Sequence, residues 1–209
     1  MRPAEVAPLI RQVAAVQQSR ADPGDRALIG CWVSPGWSVG LGLEGAGADW
    51  AATVPLGADE PHTGGLVQAL IVRQERASRV TVCGFLVDTY CLGVKNCTGP
   101  LTMGAGSVDD YRRSFFRAFE TPELPAPLEL IQQLVHGAVA YARGLGFEPA
   151  ADFGSTSPFL GTSDAPNPIR FGRDGRPFYI SGPRDDPGAV RAVLDRTVGA
   201  GNYQFLTHV

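Results

Sequence analysis

No stretch of this sequence is long and apolar enough to cross a bilayer. The longest apolar run, around residues 80–87, falls far short of the roughly 20 residues a spanning helix needs. The opening Met-Arg-Pro-Ala-Glu leads into a segment with Arg11 and no continuous apolar core, so it reads as neither a signal peptide nor a membrane anchor. Cysteine is scarce and unpaired in pattern: Cys31, Cys83, Cys91 and Cys97 form no C-x-x-C, which fits reduced thiols in a cytosolic protein. An excess of basic charge is also missing. With 18 Lys and Arg against 21 Asp and Glu, the net charge is −3, and the whole chain carries no electrostatic footprint for nucleic acid.

Fingerprint motifs are absent too. There is no Walker A, zinc-finger or H-E-x-x-H pattern. Gly40-Leu-Gly-Leu-Glu-Gly45 matches G-x-G-x-x-G, but Gly47, Asp49 and a Pro-rich piece follow it. That is not the strand–turn–helix context a dinucleotide site needs. No internal repeat is visible. The 44% hydrophobic content is that of an ordinary globular domain.

The most informative stretch is residues 79–97. From 80 to 90 both alternating faces are apolar or small, as in a strand buried on both sides, and the β-branched and aromatic residues favour strand. Asp88 is the anomaly. A carboxylate in such a run must be hydrogen-bonded, paired or protonated, and Lys95 is its nearest candidate partner in sequence.

Around this strand, residues 4–20 read as an amphipathic helix. Residues 28–33 and 39–43 read as short strands within a Gly/Trp-rich, mostly irregular segment. That segment holds Trp32, Trp37 and Trp50, either as core anchors or as a binding surface. Residues 44–52 and 98–106 read as loop. Residues 66–74 form a strand that turns back, through a four- or five-residue loop, into the central one. Helices are expected from 107 to about 119 and from 128 to 145, with a long loop at 147–168. Asp174-Gly175 between two aromatic/aliphatic runs predicts a tight hairpin over 169–180. Asp185 or Asp186 caps a short helix beginning near Pro187, and residues 203–209 read as a closing strand. The sum is an α+β fold: one domain with a mainly antiparallel sheet and helices packed on it. Residues 1–65 form an N-terminal helix and irregular extension, and residues 66–209 form the core domain.

Several constellations carry possible chemistry. Asp88 and Lys95 would suit the centre of a ribonuclease-H-like, metal-dependent phosphodiesterase or nuclease, with Asp109, Asp110, Asp152 or Asp164 adding oxygens; otherwise Asp88 is a structural partner. Cys91 with His136 would suit a thiol nucleophile and its base, against a buried cysteine acting as a small hydrophobe. Zinc at Cys91 and Cys97 with His62 or His208 has non-standard spacing. Arg112, Arg113 and Arg117, or Arg170, Arg173 and Arg176, would make an anion-binding face, against a solvated surface. The candidate catalytic residues are therefore Asp88, Lys95 and Cys91. The candidate ligand-binding residues are Arg173, Arg176 and Asp152.

Leu86-Val-Asp-Thr-Tyr-Cys-Leu-Gly-Val-Lys95, Gly137-Ala-Val-Ala-Tyr-Ala-Arg-Gly-Leu-Gly-Phe-Glu-Pro149 with Asp152-Phe153, and Phe171-Gly-Arg-Asp-Gly-Arg-Pro-Phe178 resemble a family of bacterial proteins of unassigned function. The likeness covers residues 66–209. It implies a bacterial cytosolic protein, sometimes fused to helical-repeat or small metal-binding segments, and it transfers no catalytic residue. Asn96 stands where such sequences often carry an acid, which weakens a multi-carboxylate metal site. The expectation is a binding or interaction protein with no cofactor, meeting a protein partner through the Trp-rich segment or the N-terminal helix. Divalent metal and nucleic acid enter only with the phosphodiesterase alternative, and whether any reaction is catalysed stays open at this point.

Overall fold

The computed structural model describes residues 22–53, 64–118 and 122–207. In chain order these form strand β1 (Leu28–Val33), β2 (Gly42–Leu43), helix α1 (Ala46–Thr53), β3 (Leu66–Arg76), β4 (Arg79–Asp88) and β5 (Gly93–Gly104). They continue with α2 (Val108–Phe115), β6 (Leu124–Pro125), α3 (Leu128–Gly144), α4 (Phe153–Thr156), β7 (Ile169–Arg170), β8 (Phe178–Ile180), α5 (Pro187–Thr197) and β9 (Gln204–Leu206). The main sheet is five-stranded and antiparallel in the order β5-β4-β3-β1-β6. This is the α+β domain expected from the sequence, with helices on both faces.

Strand periodicity assigns the faces. Val67, Ala69 and Ile71 of β3 and Cys83, Phe85 and Val87 of β4 point to one side, where Leu130, Ile131, Leu134 and Ala138 of α3 meet them. Leu70, Val72, Val80 and Val82 point to the other, against Val108 of α2 and Phe116. β4 is buried on both faces, as its sequence predicts. Both faces are covered because period-2 alternation puts apolar residues on each.

Several expectations need correction. Residues 46–52 are helix, not loop. Ala46, Ala48 and Ala51 favour a helix, and α1 forms there despite Gly47. Residues 98–104 are strand, the second half of β5, although Gly99-Pro100 breaks the apolar pattern and its peptide bond is cis. β5 lies at the sheet edge, where a proline costs no ladder bond. The β3–β4 hairpin is tighter than expected, since its strands run to Arg76 and from Arg79. α2 stops at Phe115. β1 pairs with β3 and Trp37 is buried in the core, so the sheet runs across the boundary drawn at residue 65.

The predicted 169–180 hairpin exists only at its tip. Asp174 and Gly175 both adopt positive φ, with a bridge between Arg173 and Arg176. Beyond it the arms part. β7 pairs with β2, and β8 runs parallel to β9. Pro177 has no N–H to give a hairpin ladder, and the flanking amides go elsewhere: Gly172 donates to the carbonyl of Thr89 and Phe178 to that of Tyr90, at 3.0 and 3.1 Å. The 172–178 loop therefore clasps the turn that follows β4. The expected helix at residues 4–20 lies outside the described residues.

Candidate functional site

The turn at residues 89–92 joins β4 to β5, and Asp88 builds it. Its Oδ1 accepts the backbone N–H of Tyr90 at 2.9 Å and of Cys91 at 3.0 Å, the Asx-turn arrangement a short carboxylate makes with the chain just ahead. Gly93 closes the turn at φ 68°, where a Cβ would sit 2.7 Å from the Ala142 methyl on α3. On the outer side Tyr90 is walled in by glycine. Gly65, at φ 86°, lies where any Cβ would enter the Tyr90 ring, and Thr89 is tied to the Gly65 carbonyl at 2.7 Å. The Tyr90 hydroxyl donates to the carbonyl of Val39 at 2.6 Å. The turn is thus fixed from four separate stretches of chain.

Beside it opens a cleft of about 310 Å³ whose lining includes Asp88, Tyr90, Lys95, Leu66, Phe178 and Ile180. Tyr90 and Phe178 stack with ring centroids 6.2 Å apart. Asp88 is 8% exposed. Burial pushes its carboxyl up from 3.8 to about 6, against the opposing pull of the Tyr90, Leu92 and Cys91 amides and of Lys95.

Lys95 does not pair with Asp88 as its sequence position suggested. Its Nζ lies 2.7 Å from Asp185 Oδ2, and the same oxygen accepts the Gly182 N–H at 2.8 Å and the Tyr179 hydroxyl at 3.3 Å. Although burial opposes ionisation of Asp185, the Lys95 and Gly182 hydrogen bonds outweigh it and hold the carboxyl below its ordinary value. Lys95 acts on Asp88 only at longer range. The physical reason is that Asp88 is already turned onto its own backbone, whereas Asp185 faces Lys95 from the far wall.

The other candidates disperse. Cys91 is fully buried with Leu145, Tyr179 and Leu194, and burial raises its thiol far above the ordinary range, with Asp88 adding to the effect. His136 is elsewhere, 2.9 Å from the Gly161 carbonyl and packed on Phe153. A nucleophile–base pair is therefore not formed. The four cysteines are free and buried. Native protein should accordingly react with a thiol-specific reagent many-fold more slowly than unfolded protein, and prompt titration of one equivalent from the folded state would refute this burial. Asp152 is exposed and starts α4 without a side-chain cap. Arg176 is exposed at the loop tip, while Arg173 lies 5.2 Å over the Phe178 ring at the cleft wall. Asp109 and Asp110 pair with Arg112 and Arg113 on α2, and Asp164 is exposed. No three His, Cys, Asp or Glu side chains converge to hold a metal ion among the described residues. His62 and His208 lie outside them.

Asp185, Tyr179 and Phe178 are the site residues that sequence reasoning missed. One signal was present: Asp185 and Asp186 both precede Pro187, but a helix has one N-cap. Asp186 takes it, accepting the Ala189 N–H at 3.1 Å, which leaves Asp185 for another role.

No family model, curated protein or solved structure matches the chain. Among the described residues no helix is long and apolar enough to cross a membrane.

Proposed function

We propose that this protein is a binding protein of the bacterial cytosol that holds a small molecule in the cleft between the β4–β5 turn and β8. The supporting observation is one cleft that combines apolar walls with a buried carboxylate on a rigid turn. A concave, mostly apolar pocket with a few fixed polar groups is the usual form of a ligand site. The tryptophans favour this reading over a Trp-lined protein interface. Trp37 is buried, Trp50 packs on the core, and Trp32 is covered by the Arg112 guanidinium 4.8 Å above its ring.

The test is ligand-observed NMR with a fragment library on wild type and on Leu66→Trp, which fills the cleft from its half-exposed rim. Fragments should bind the wild type and lose at least about tenfold in affinity in the variant. Hits that ignore the substitution would remove the cleft from the reading. Mn²⁺-dependent cleavage of an oligonucleotide that disappears in Asp88→Asn would replace the binding protein with a phosphodiesterase.

A further inference from the structure

We infer that the molecule this cleft takes is a small organic cation, its ammonium or amidinium group on the Asp88 carboxylate and its apolar body against Tyr90, Phe178 and Leu66. This rests on the cleft being a ligand site and adds the ligand's charge.

The charges around the cleft are unequal. Lys95 is matched by Asp185, which the Gly182 amide and the Tyr179 hydroxyl also hold in place. That leaves Asp88. Its turn supplies amide dipoles, which orient the carboxylate without cancelling its charge. Among the described residues no cation stands within ion-pairing distance of it, so the trio of Asp88, Lys95 and Asp185 carries one net negative charge. An anionic ligand would have to pull Lys95 away from Asp185 and would bring a second negative charge beside Asp88. A cation meets neither obstacle and supplies the partner a desolvated carboxylate otherwise lacks.

The walls agree with the charge. Aromatic faces attract cations, and the Tyr90 ring lines the cleft beside Asp88; the Phe178 face under the Arg173 guanidinium is already taken. At about 310 Å³ the space is at the small end of ligand pockets, so the occupant has one ring or a short chain beside its charged group.

Protonation of Asp88 would compete with such a ligand. The groups coupled to Asp88 are Lys95 on β5, the Tyr90, Cys91 and Leu92 amides with the Tyr90 hydroxyl and Cys91 thiol in the turn, Tyr141 on α3 and the buried Tyr179, with Asp185 beyond them on Lys95. Burial keeps the three tyrosines and the thiol neutral at physiological pH, and Asp185 is held ionised. A decline in cation affinity on acidification near pH 6 would therefore report Asp88.

The experiment is calorimetric titration of the full chain with benzylammonium, benzyl alcohol and benzoate at pH 7.5. Benzylammonium should bind at least about tenfold more tightly than the alcohol, with benzoate weakest. Asp88→Asn should bring benzylammonium down to the level of the alcohol. In the wild type its affinity should fall towards about tenfold for each pH unit below 6. Preference for benzoate, equal binding of all three, or binding of none at up to about 10 mM would overturn the cation. If fragments that Leu66→Trp displaces are still found in that case, the cleft stands as a ligand site without this charge preference. If neither experiment finds binding at the cleft, both readings fail.

Discussion

Replacing Arg73 with methionine is expected to lower the unfolding free energy by about 3 kcal/mol, a large loss for one side chain. Arg73 lies on β3 at 3% exposure. Its Nε donates to the Phe159 carbonyl at 2.6 Å, one terminal nitrogen to that of Arg26 at 2.7 Å, and the other to that of Leu160 at 3.3 Å. The guanidinium fork thereby fastens two separate backbone segments to the edge of the sheet core. Methionine fills the stem's space and removes the cost of burying a charge, but it leaves the Phe159 and Arg26 carbonyls without this donor. Each buried acceptor left unsatisfied costs about 1–3 kcal/mol. The Leu160 carbonyl is spared because Gln132 also donates to it, at 2.8 Å. For a chain of this size the melting temperature should fall by about 6–12 °C. Lysine should rescue little, since an ammonium is more strongly hydrated and cannot reproduce the fork. A fully stable Arg73→Lys protein would mean that charge, not geometry, holds these segments.

The same residue shows where sequence reasoning reached and where it stopped. The strand at residues 66–74 was legible, and a period of two from Val67 through Ala69 and Ile71 puts position 73 on the core face. An arginine there nevertheless reads as a frayed strand end, because its acceptors lie 47 and 86 residues away in the chain. The site follows the same division. Asp88 stood out because a buried strand should not hold an acid, and that inference needs only neighbouring residues. Its true setting depends on non-local pairing. Lys95 faces Asp185, 90 residues on, and the 169–180 segment gives one arm to β2 and the other to β9. Local turn chemistry identified the Asp174-Gly175 tip correctly but says nothing about what its arms find. β5 was lost for a related reason: glycine and proline are loop signals unless an edge position makes them harmless.

Asp88→Asn should make the protein more stable at pH 7.5, by about 1–3 kcal/mol. The carboxyl's rise from 3.8 to about 6 on folding corresponds to about 3 kcal/mol at 1.4 kcal/mol for each pKa unit. Its sign is destabilising. Below about pH 4 the group is mostly protonated in both the folded and unfolded chains, and the term vanishes. Between about pH 4 and 6 the unfolded chain ionises first, so folded wild type binds more protons and loses stability as the pH rises. Above about 6 both forms are ionised and the full cost remains. Asparagine keeps an oxygen in place to accept the Tyr90 and Cys91 N–H groups and has nothing to ionise. Its advantage should therefore be largest at pH 7.5 and shrink to within about 0.5 kcal/mol at pH 4, measured by urea unfolding at each pH. Alanine, which strips the turn of its acceptor, should destabilise at both pH values by about 1 kcal/mol or more. A carboxylate standing where its own amide would fold better is the mark of a residue kept for what it binds, since stability is commonly given up at functional sites. If Asp88→Asn is instead clearly less stable than wild type at pH 7.5, the ionised carboxylate is what the turn requires. Asp88 then belongs to the architecture of the β4–β5 turn, and the cleft beside it loses its strongest claim to a ligand.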